Sequence, residues 1–592
     1  MSDEGSSTPK SKSMEPTASI SSIEIKGDAD HIEAASFGSG SGENVDDYIN
    51  KFLDMSNEAR DEDQRDKNMT LSEGLKMFPK ACFWSVVLSA AIIMEGYDTN
   101  LLASFYAYEG FARKFGKYYP DLDQYQVPAK DQLGLSMCYQ TGALVGVYIG
   151  GVLPDRIGYK RTIIPALMVT IGLIFIQFFA PNVDVLMVSF VLLGINWGSY
   201  QTMCVAYAMD ISPTPLRIYL TTFVNCCWVI GQLISSGVLK GISGLTDPNA
   251  WRIGIAIQWA FPVPIIIATA LAPELPWFLA RTGQFEKAKR SLTRLLSDNK
   301  NMPSKDIIAQ SMLVKIQMTI KEEEALATSG SIIECFKGSN WRRTRIAAIV
   351  WLIQNITGSS LMGYSTYFYQ NAGVDVSMSF TFSIIQYCLG IAGTIGSWFL
   401  SQRLGRFEIY FYGLISIVVL LTLTGGLGCS NSKSLSMGVG SMLMIYTFVY
   451  DLTIGPMCYC IVGEMPSAQL RSKTVMIARN IFNIAGIVVA IVTPYMLNPT
   501  EWNWKAKAAF LWAGLALLSA IWVYFELPET KGRTFAEIDK LFQEGVPARK
   551  FKHTIPKTFD TGDMMEKLGD EGVKAAAQNV EDIELDDLQR NV

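Results

Sequence analysis

The sequence is dominated by long apolar stretches separated by shorter polar ones. Each stretch has about 20 residues, enough for a helix to cross a bilayer. The twelve predicted spans are 81–105, 133–153, 163–180, 186–207, 219–239, 253–272, 345–369, 380–400, 409–427, 437–461, 475–497 and 508–525. The pattern therefore predicts an all-α membrane protein with twelve transmembrane helices.

The polar segments divide these spans into two groups of six. Within the central polar segment, 284–297 and 307–327 have the charged, amphipathic pattern of helices. The first residues are rich in Ser, Gly and acidic side chains, which is typical of a disordered tail. The predicted units are a disordered N-terminal tail at 1–75, six-helix halves at 76–275 and 345–526, linker helices at 276–344 and a C-terminal tail at 527–592.

Composition supports a membrane protein rather than a soluble enzyme. Apolar residues make up 49% of the chain and charged residues 18%, compared with roughly 25% charged residues in soluble domains. The ten cysteines lack zinc-type spacing, so neither a metal nor a cofactor is expected. No pattern of a nucleophile with its base indicates a catalytic residue, and nothing indicates nucleic-acid binding. Both histidines, His31 and His553, lie in the tails, so proton transfer within the spans would depend on carboxylates.

Basic residues in the short loops indicate the orientation. They are concentrated in the loops that join an even-numbered span to the next odd-numbered one. Loops with this excess of Lys and Arg remain in the cytosol. Both termini and the linker are therefore predicted to be cytosolic.

Glu95 and Asp98 place two carboxylates inside the first predicted span. Their spacing of three residues puts them on one helix face. A carboxylate in hydrocarbon is costly, so the pair predicts a polar interior, a transport pathway or a proton site. The alternative is that both residues lie near a helix end and reach water.

The two halves share an internal repeat. An acidic residue ends the fourth span of each half, at Asp210 and Glu464, and an arginine follows seven residues later, at Arg217 and Arg471. We expect these groups to form ion pairs that close the cytosolic side and separate when it opens. Alternatively, the basic residues only set the topology. The full predicted gate is Asp155, Arg156, Asp210, Arg217, Arg403, Arg406, Glu464 and Arg471.

Several motifs resemble the sugar porter branch of the major facilitator superfamily. They are Gly-Gly-x-x-x-Asp-Arg-x-Gly-x-Lys-Arg at 150–161, Pro-Glu-Leu-Pro-Trp at 273–277 and Pro-Glu-Thr-Lys-Gly at 528–532. Further residues, at 95–99, 354–355, 358–360, 364–368 and 478–480, resemble the fungal maltose permease group of alpha-glucoside:proton symporters. The resemblance implies the major facilitator fold, with two six-helix halves joined by a cytosolic helical linker. It also implies a plasma-membrane permease whose partners are an alpha-glucoside, a proton and the lipid bilayer, working as a monomer.

A sugar site requires amides, hydroxyls and aromatic surfaces rather than net charge. By resemblance, Gln232, Gln354 and Asn355 match sugar-binding amides, and Tyr459 falls where relatives place a stacking tryptophan. A helix break at Gly455-Pro456 is expected beside the site. The remaining candidates from the sequence are Asn225, Ser360 and Tyr364. Alternatively, these polar groups only form hydrogen bonds between helices.

Asp98 is the first candidate for the proton-binding carboxylate, and Glu95 is the second. Arg479 is expected to respond to protonation of either Asp98 or Asp451. A static ion pair between Asp451 and Arg479 is the alternative.

Proton-coupled sugar porters have an arginine in the fourth span about where Phe190 lies here, and this difference favours an uncoupled, facilitative carrier. A sugar sensor that does not transport is the second alternative function.

Overall fold

The computed structural model describes residues 42–556 except 107, 120–123, 243, 246, 248, 299–303, 327–330, 364–368, 370–375, 430–432, 498–501 and 503. Within these residues, the regular structure is helical apart from one antiparallel hairpin, in which Lys117–Tyr119 pairs with Gln124–Gln126. This hairpin lies between the first two membrane helices and was not predicted.

The membrane helices are numbered as spans 1 to 12. They are Pro79–Phe105, Ala129–Ile157, Tyr159–Phe178, Val183–Asp210, Thr214–Ile242, Trp251–Leu271, Gly338–Gln354 with its continuation Asn355–Ser359 and Ser360–Gly363, Val376–Arg403, Arg406–Leu427, Lys433–Leu452 with Ile454–Glu464, Arg471–Leu497 and Ala508–Glu526. Among the described residues, 11 helices are long and apolar enough to cross a membrane. The predicted seventh span is the one that does not reach this length, because it is interrupted.

The other helices lie outside the spans. They are Gly42–Asn68, Leu71–Met77, Glu109–Phe115, Pro276–Arg281, Phe285–Leu295, Lys305–Leu326, Ile332–Phe336, Lys505–Lys507, Phe535–Gln543 and Ala548–Lys550. We call the end of the bundle that carries the linker helices and both terminal helices the linker end.

Spans 7 and 10 are broken near the middle of the bundle. In span 7, Gly358 has φ of +88°, which glycine adopts without steric cost. In span 10, the helix is interrupted at Thr453, which has φ of −125° and ψ of −81°. The expected break at Gly455-Pro456 therefore falls slightly earlier, because the ring of Pro456 clashes with a carbonyl four residues before it. Irregular backbone at this depth is tolerated where protein surrounds it.

Contacts between the halves run along neighbouring spans. The Trp398 indole of span 8 donates a hydrogen bond of 2.8 Å to the Thr222 hydroxyl of span 5. The Tyr387 hydroxyl of span 8 donates to the Asn100 side chain of span 1 over 2.9 Å. These bonds place polar groups of both halves along one central seam.

The structure differs from the sequence prediction at both ends of the chain. Part of the N-terminal tail predicted as disordered forms the 27-residue helix Gly42–Asn68. Met55 and Ala59, one turn apart, are buried by packing at the linker end. The predicted C-terminal tail contains Phe535–Gln543, which begins with a capping box made by Thr534 and Glu537. Residues 1–41 and 557–592, also predicted as tails, lie outside the described residues.

Candidate transport site

Close packing of spans 1 and 5 fixes the orientation of the two carboxylates in span 1. A Cβ atom at Gly96 would lie 2.1 Å from the Trp228 carbonyl oxygen, so only glycine allows this approach. Glu95 and Asp98 are 2% and 1% exposed, which excludes the alternative that they reach water at a helix end. Both side chains face span 4, where their partners Gln201 and Trp197 are one turn apart.

Glu95 lies in a cluster that joins both halves. It accepts hydrogen bonds from the Tyr139 hydroxyl, at 2.9 Å, and from the Gln201 amide. A guanidinium nitrogen of Arg479 lies 3.6 Å from the same carboxylate oxygen. Tyr139 and Gln201 belong to the N-terminal half, whereas Arg479 is on span 11 of the other half. Glu95 is therefore the span 1 carboxylate that contacts a cation from across the seam.

Arg479 is held by more than this ion pair. Its Nε donates a hydrogen bond of 2.6 Å to the Gln201 side-chain oxygen. The guanidinium also lies over the ring of Phe482, 4.0 Å from the centroid, an arrangement favourable to a cation. Gln201 thus bridges the two charges, since its nitrogen contacts Glu95 and its oxygen contacts Arg479.

Asp98 has only neutral donors around it in the described structure. One oxygen accepts hydrogen bonds from Gln177, at 3.2 Å, and Gln258, at 2.9 Å. The other accepts from the Trp197 indole at 3.2 Å. All three donors come from the N-terminal half. Arg479 was expected to respond to protonation of Asp98 or Asp451, but it contacts neither in this structure: span 11 approaches one turn away from Asp98, at Glu95.

Asp451 forms a second buried contact between the halves. It accepts a hydrogen bond of 3.2 Å from Asn225 of span 5, and it is 5% exposed. The alternative of a static ion pair between Asp451 and Arg479 is not found, because Arg479 is engaged with Glu95 and Gln201. Asn225 accordingly faces a carboxylate in this structure.

The two adjacent amides of span 7 are buried and face spans 10 and 11. Gln354 donates a hydrogen bond of 3.0 Å to the Gly455 carbonyl, next to the break in span 10. Asn355 donates to the Phe482 carbonyl over 2.7 Å. These contacts place Gln354 beside the break in span 10 and Asn355 against the regular helix of span 11. They also tie Asn355 to the helix that carries Arg479.

The other predicted sugar residues are more dispersed. Gln232 is half-buried on span 5, and its backbone carbonyl accepts a hydrogen bond of 3.1 Å from Asn100. Ser360 accepts one of 3.3 Å from Thr493, and Tyr459 packs edge-on against Trp351. Tyr364 lies outside the described residues.

The linker end is closed by contacts between the halves. Arg471 pairs with Asp210, and Asp155 accepts a hydrogen bond of 3.1 Å from Ser472. Lys473 lies 3.6 Å from Asp155. Within the C-terminal half, Arg406 pairs with Glu464 at 3.2 Å. The predicted gate residues Asp155, Asp210, Arg406, Glu464 and Arg471 are therefore brought into ion pairs.

The remaining predicted gate residues, Arg156, Arg217 and Arg403, have other surroundings. Arg217 stacks on the ring of Phe535, with 3.6 Å between its guanidinium carbon and the ring centroid, and donates to the Arg533 carbonyl over 3.4 Å. Arg471 stacks near the same ring at 4.0 Å. Phe535 thus lies between arginines from both halves. Arg156 and Arg403 are exposed, with no ion pair in the described part of the chain.

Several residues at the site were not predicted. Tyr139, Gln177, Trp197 and Gln201 donate to the two carboxylates. An isolated amide within an apolar span was the available signal for Gln177 and Gln201. Phe535 has no comparable signal, since a phenylalanine on a short amphipathic helix is usually part of a core.

The fold and the site together define a polytopic carrier built from two helical halves. The chain matches the sugar (and other) transporter family over residues 84–542 and belongs to that family. It is 41% identical over 541 residues to the maltose permease MAL61 of Saccharomyces cerevisiae, covering 90% of this chain and 87% of that protein. It is 40% identical over 555 residues to the general alpha-glucoside permease of S. cerevisiae strain S288c, covering 93% and 89%.

A solved structure shows the same fold. The proton:xylose symporter XylE, bound to 6-bromo-6-deoxy-D-glucose, superimposes with a TM-score of 0.68 at 17% identity, covering 78% of this chain and all of XylE. These matches confirm the major facilitator fold, the resemblance to maltose permeases and the expectation of a transporter rather than an enzyme. The protein is therefore a multi-pass membrane protein.

Proposed function

We propose that this protein takes up maltose or a related alpha-glucoside together with a proton, across the plasma membrane, by alternating access. The contact between Glu95 and Arg479 carries this proposal, because it joins a carboxylate of one half to a cation of the other. The names of the curated relatives support the sugar class. A monomer contains both halves and is the proposed working unit.

Glu95 is the proposed coupling carboxylate, in place of the first sequence candidate Asp98. When Glu95 is ionised, its attraction to Arg479 holds the two halves together at the centre of the bundle. Protonation removes that attraction and leaves Arg479 with the Gln201 oxygen. One proton crossing 100 mV supplies about 2.3 kcal/mol, enough for about 50-fold accumulation of sugar.

The sugar is proposed to bind beside this contact, between the amides of span 7 and the polar residues of spans 5 and 10. Gln354 and Asn355 donate to backbone carbonyls in this structure, and sugar hydroxyls can replace those acceptors. The proposed subsite also includes Gln232, Asn225, Ser360, Tyr364 and Tyr459. Asp451 contributes a second carboxylate at the seam.

The linker end is proposed to face the cytosol, in agreement with the positive-inside rule. Its ion pairs then form the inner gate, and both termini are cytosolic. Rocking of the two halves separates Asp210 from Arg471 when the carrier opens inward. With this orientation, the ion pair between Arg471 and Asp210 supports a state of the carrier that is closed on the cytosolic side.

Proton coupling can be tested separately from sugar binding with Glu95→Gln. This variant keeps the shape of the side chain and one oxygen that can accept from Tyr139 and Gln201, but it cannot be ionised. Cells lacking other sugar carriers would be supplied with maltose, and alkalinisation of the medium would be recorded alongside radiolabelled maltose counterflow. We expect counterflow to persist and maltose-driven alkalinisation to be lost.

Asp98→Asn is the matched comparison, because Asp98 has no cation beside it among the described residues. It should retain alkalinisation if Glu95 is the coupling group. Unchanged alkalinisation in Glu95→Gln would refute this role.

Wild-type uptake insensitive to a protonophore would instead support a facilitative carrier, the alternative suggested by Phe190. Absence of uptake and counterflow in the wild type would support a sensor.

A further inference from the structure

A groove outside the transport pathway lies where span 1 enters the membrane at the linker end. It has a volume of about 440 Å³ and is lined by Pro79, Lys80, Phe83, Trp84 and Arg294. The first four residues begin span 1, and Arg294 comes from the linker helix Phe285–Leu295. The groove therefore lies at the level where hydrocarbon gives way to polar headgroups.

The two cations in the groove are positioned by backbone acceptors. The Lys80 ammonium donates to the Leu296 carbonyl at 3.2 Å, and the Arg294 guanidinium donates to the Leu271 carbonyl at 2.9 Å. In the part of the chain that the structure describes, neither cation has a carboxylate within ion-pair distance. Each retains further N–H donors, so together they form a positively charged site without a bound counter-charge.

The walls of the groove continue into the lipid-facing surface. Phe83 on span 1 is 56% exposed, and Leu271 and Ile267 at the end of span 6 are 62% and 59% exposed. Trp84 packs edge-on against Phe83 with 4.9 Å between ring centroids, and such aromatic residues are common at the membrane interface. An apolar surface thus runs from the two cations toward the bilayer core.

We propose that this groove binds the phosphate of an anionic phospholipid, with its acyl chains lying along Phe83, Ile267 and Leu271. A phosphate between Lys80 and Arg294 would accept charge-assisted hydrogen bonds from both. The first turn of span 1 contains no acidic residue and has no side-chain cap, so it does not repel an anion. With the orientation proposed above, the site faces the cytosolic leaflet, where anionic lipids are concentrated.

Lipid binding can be measured directly by native mass spectrometry of the purified full-length protein in detergent. The probe is phosphatidylserine, compared with phosphatidylcholine of the same acyl chains. The variant Lys80→Gln with Arg294→Gln should bind phosphatidylserine about 30-fold more weakly than wild type. The control variant Lys76→Gln with Lys550→Gln also removes two positive charges, but at exposed positions outside the groove. It should bind phosphatidylserine like wild type.

Each other outcome would overturn the proposal. Equal binding by wild type and the groove variant would exclude these cations, and an equal loss in the control variant would indicate attraction by net charge alone. Displacement of the lipid by glycerophosphoserine, which has no acyl chains, would indicate a site for a soluble phosphate.

A second measurement uses the unaltered protein and so does not depend on folding of a variant. Phosphatidylserine carrying a photoreactive acyl chain should label peptides from Pro79–Ser89 or Pro262–Leu271. Labelling confined to other spans would exclude the groove. Neither measurement depends on transport, so failure of the sugar–proton proposal would leave this result unaffected.

Discussion

Burying an ionised carboxylate among apolar helices costs several kcal/mol unless donors surround it. Glu95 and Asp98 are stabilised in different ways. Glu95 has an arginine and two neutral donors, drawn from both halves. Asp98 has three neutral donors from a single half. A change of charge at Glu95 is therefore felt across the seam, whereas one at Asp98 acts within the N-terminal half.

The indole donor to Asp98 can be removed while an aromatic ring is kept at the position. Trp197→Phe leaves two amide donors and should lower the free energy of unfolding by about 1.5–3 kcal/mol, as expected for a lost hydrogen bond to a charged group. Thermal unfolding of the purified protein would measure this. Trp512→Phe is the control, because that buried indole nitrogen has no hydrogen-bond partner among the described residues. Equal destabilisation by both substitutions would show that lost volume, not the bond, is responsible.

The sequence was informative about the carboxylates but not about their partners. Glu95, Asp98 and Arg479 are charged residues in apolar spans, and such residues are rare. Their pairing depends on the rotation and depth of three helices that are distant in sequence. This is why the sequence indicates Asp98 or Asp451 as the partner of Arg479, although Arg479 contacts Glu95. Gln201, which bridges the pair, carries no charge and was missed.

At the scale of elements, the N-terminal helix Gly42–Asn68 connects several parts of the linker end. Asp66 accepts hydrogen bonds from the backbone and hydroxyl of Thr214, at 3.0 and 2.8 Å. Lys67 pairs with Glu537 of the C-terminal helix at 2.6 Å. Lys315 of the linker lies 2.9 Å from Asp63. The polar composition of this segment is typical of disorder. These contacts stabilise it as a helix, and the sequence pattern does not reveal them because their partners are distant in the chain.

Docking of this helix should depend on pH through Glu62. Burial raises the pKa of Glu62 from 4.5 to about 7, although the positive charges of Arg65 and Lys315 lower it. Between pH 4.5 and about 7, Glu62 therefore holds a proton when the helix is docked and has lost it when the helix is undocked. Docking is favoured at low pH and weakens as the pH rises from 4.5 through about 7.

Hydrogen exchange of residues 53–68, corrected for intrinsic rates, would measure this dependence. Protection should be about 20-fold greater at pH 5.5 than at pH 7.5. The difference should disappear in Glu62→Gln and persist in Asp61→Asn, which alters an exposed neighbour. Asp66 does not account for such a change: burial opposes its ionisation, but the charges of Lys315 and Arg217 and the bonds from Thr214 outweigh burial and lower its pKa. Equal protection at both pH values would contradict the assignment to Glu62.

At the scale of the whole molecule, the ion pairs between the halves that the described residues form occur at two levels. Glu95 and Arg479 meet near the centre, and Asp210 and Arg471 meet at the linker end. The internal repeat predicted charged groups at the linker end. It did not predict Phe535 between Arg217 and Arg471, because that ring comes from a segment after the second repeat. Alternating access requires both levels of contact to change, since rigid halves rotate as units.

Breaking the linker-end pair alone should shift the carrier toward the state open at that end. Asp210→Asn leaves Arg471, which is 1% exposed, without its carboxylate. Loss of one partner of a buried pair costs about 3 kcal/mol in the closed state, which changes the ratio of closed to open forms by about 100-fold. Spin labels in place of Arg156 and Arg403, exposed residues of opposite halves, should therefore report longer distances.

Glu464→Gln is the matched control, because it breaks a pair within one half. Exchanging the charges, as Asp210→Arg with Arg471→Asp, should restore the shorter distances. A distance distribution unchanged by Asp210→Asn would show that Phe535 and the N-terminal helix keep this end closed without the ion pair.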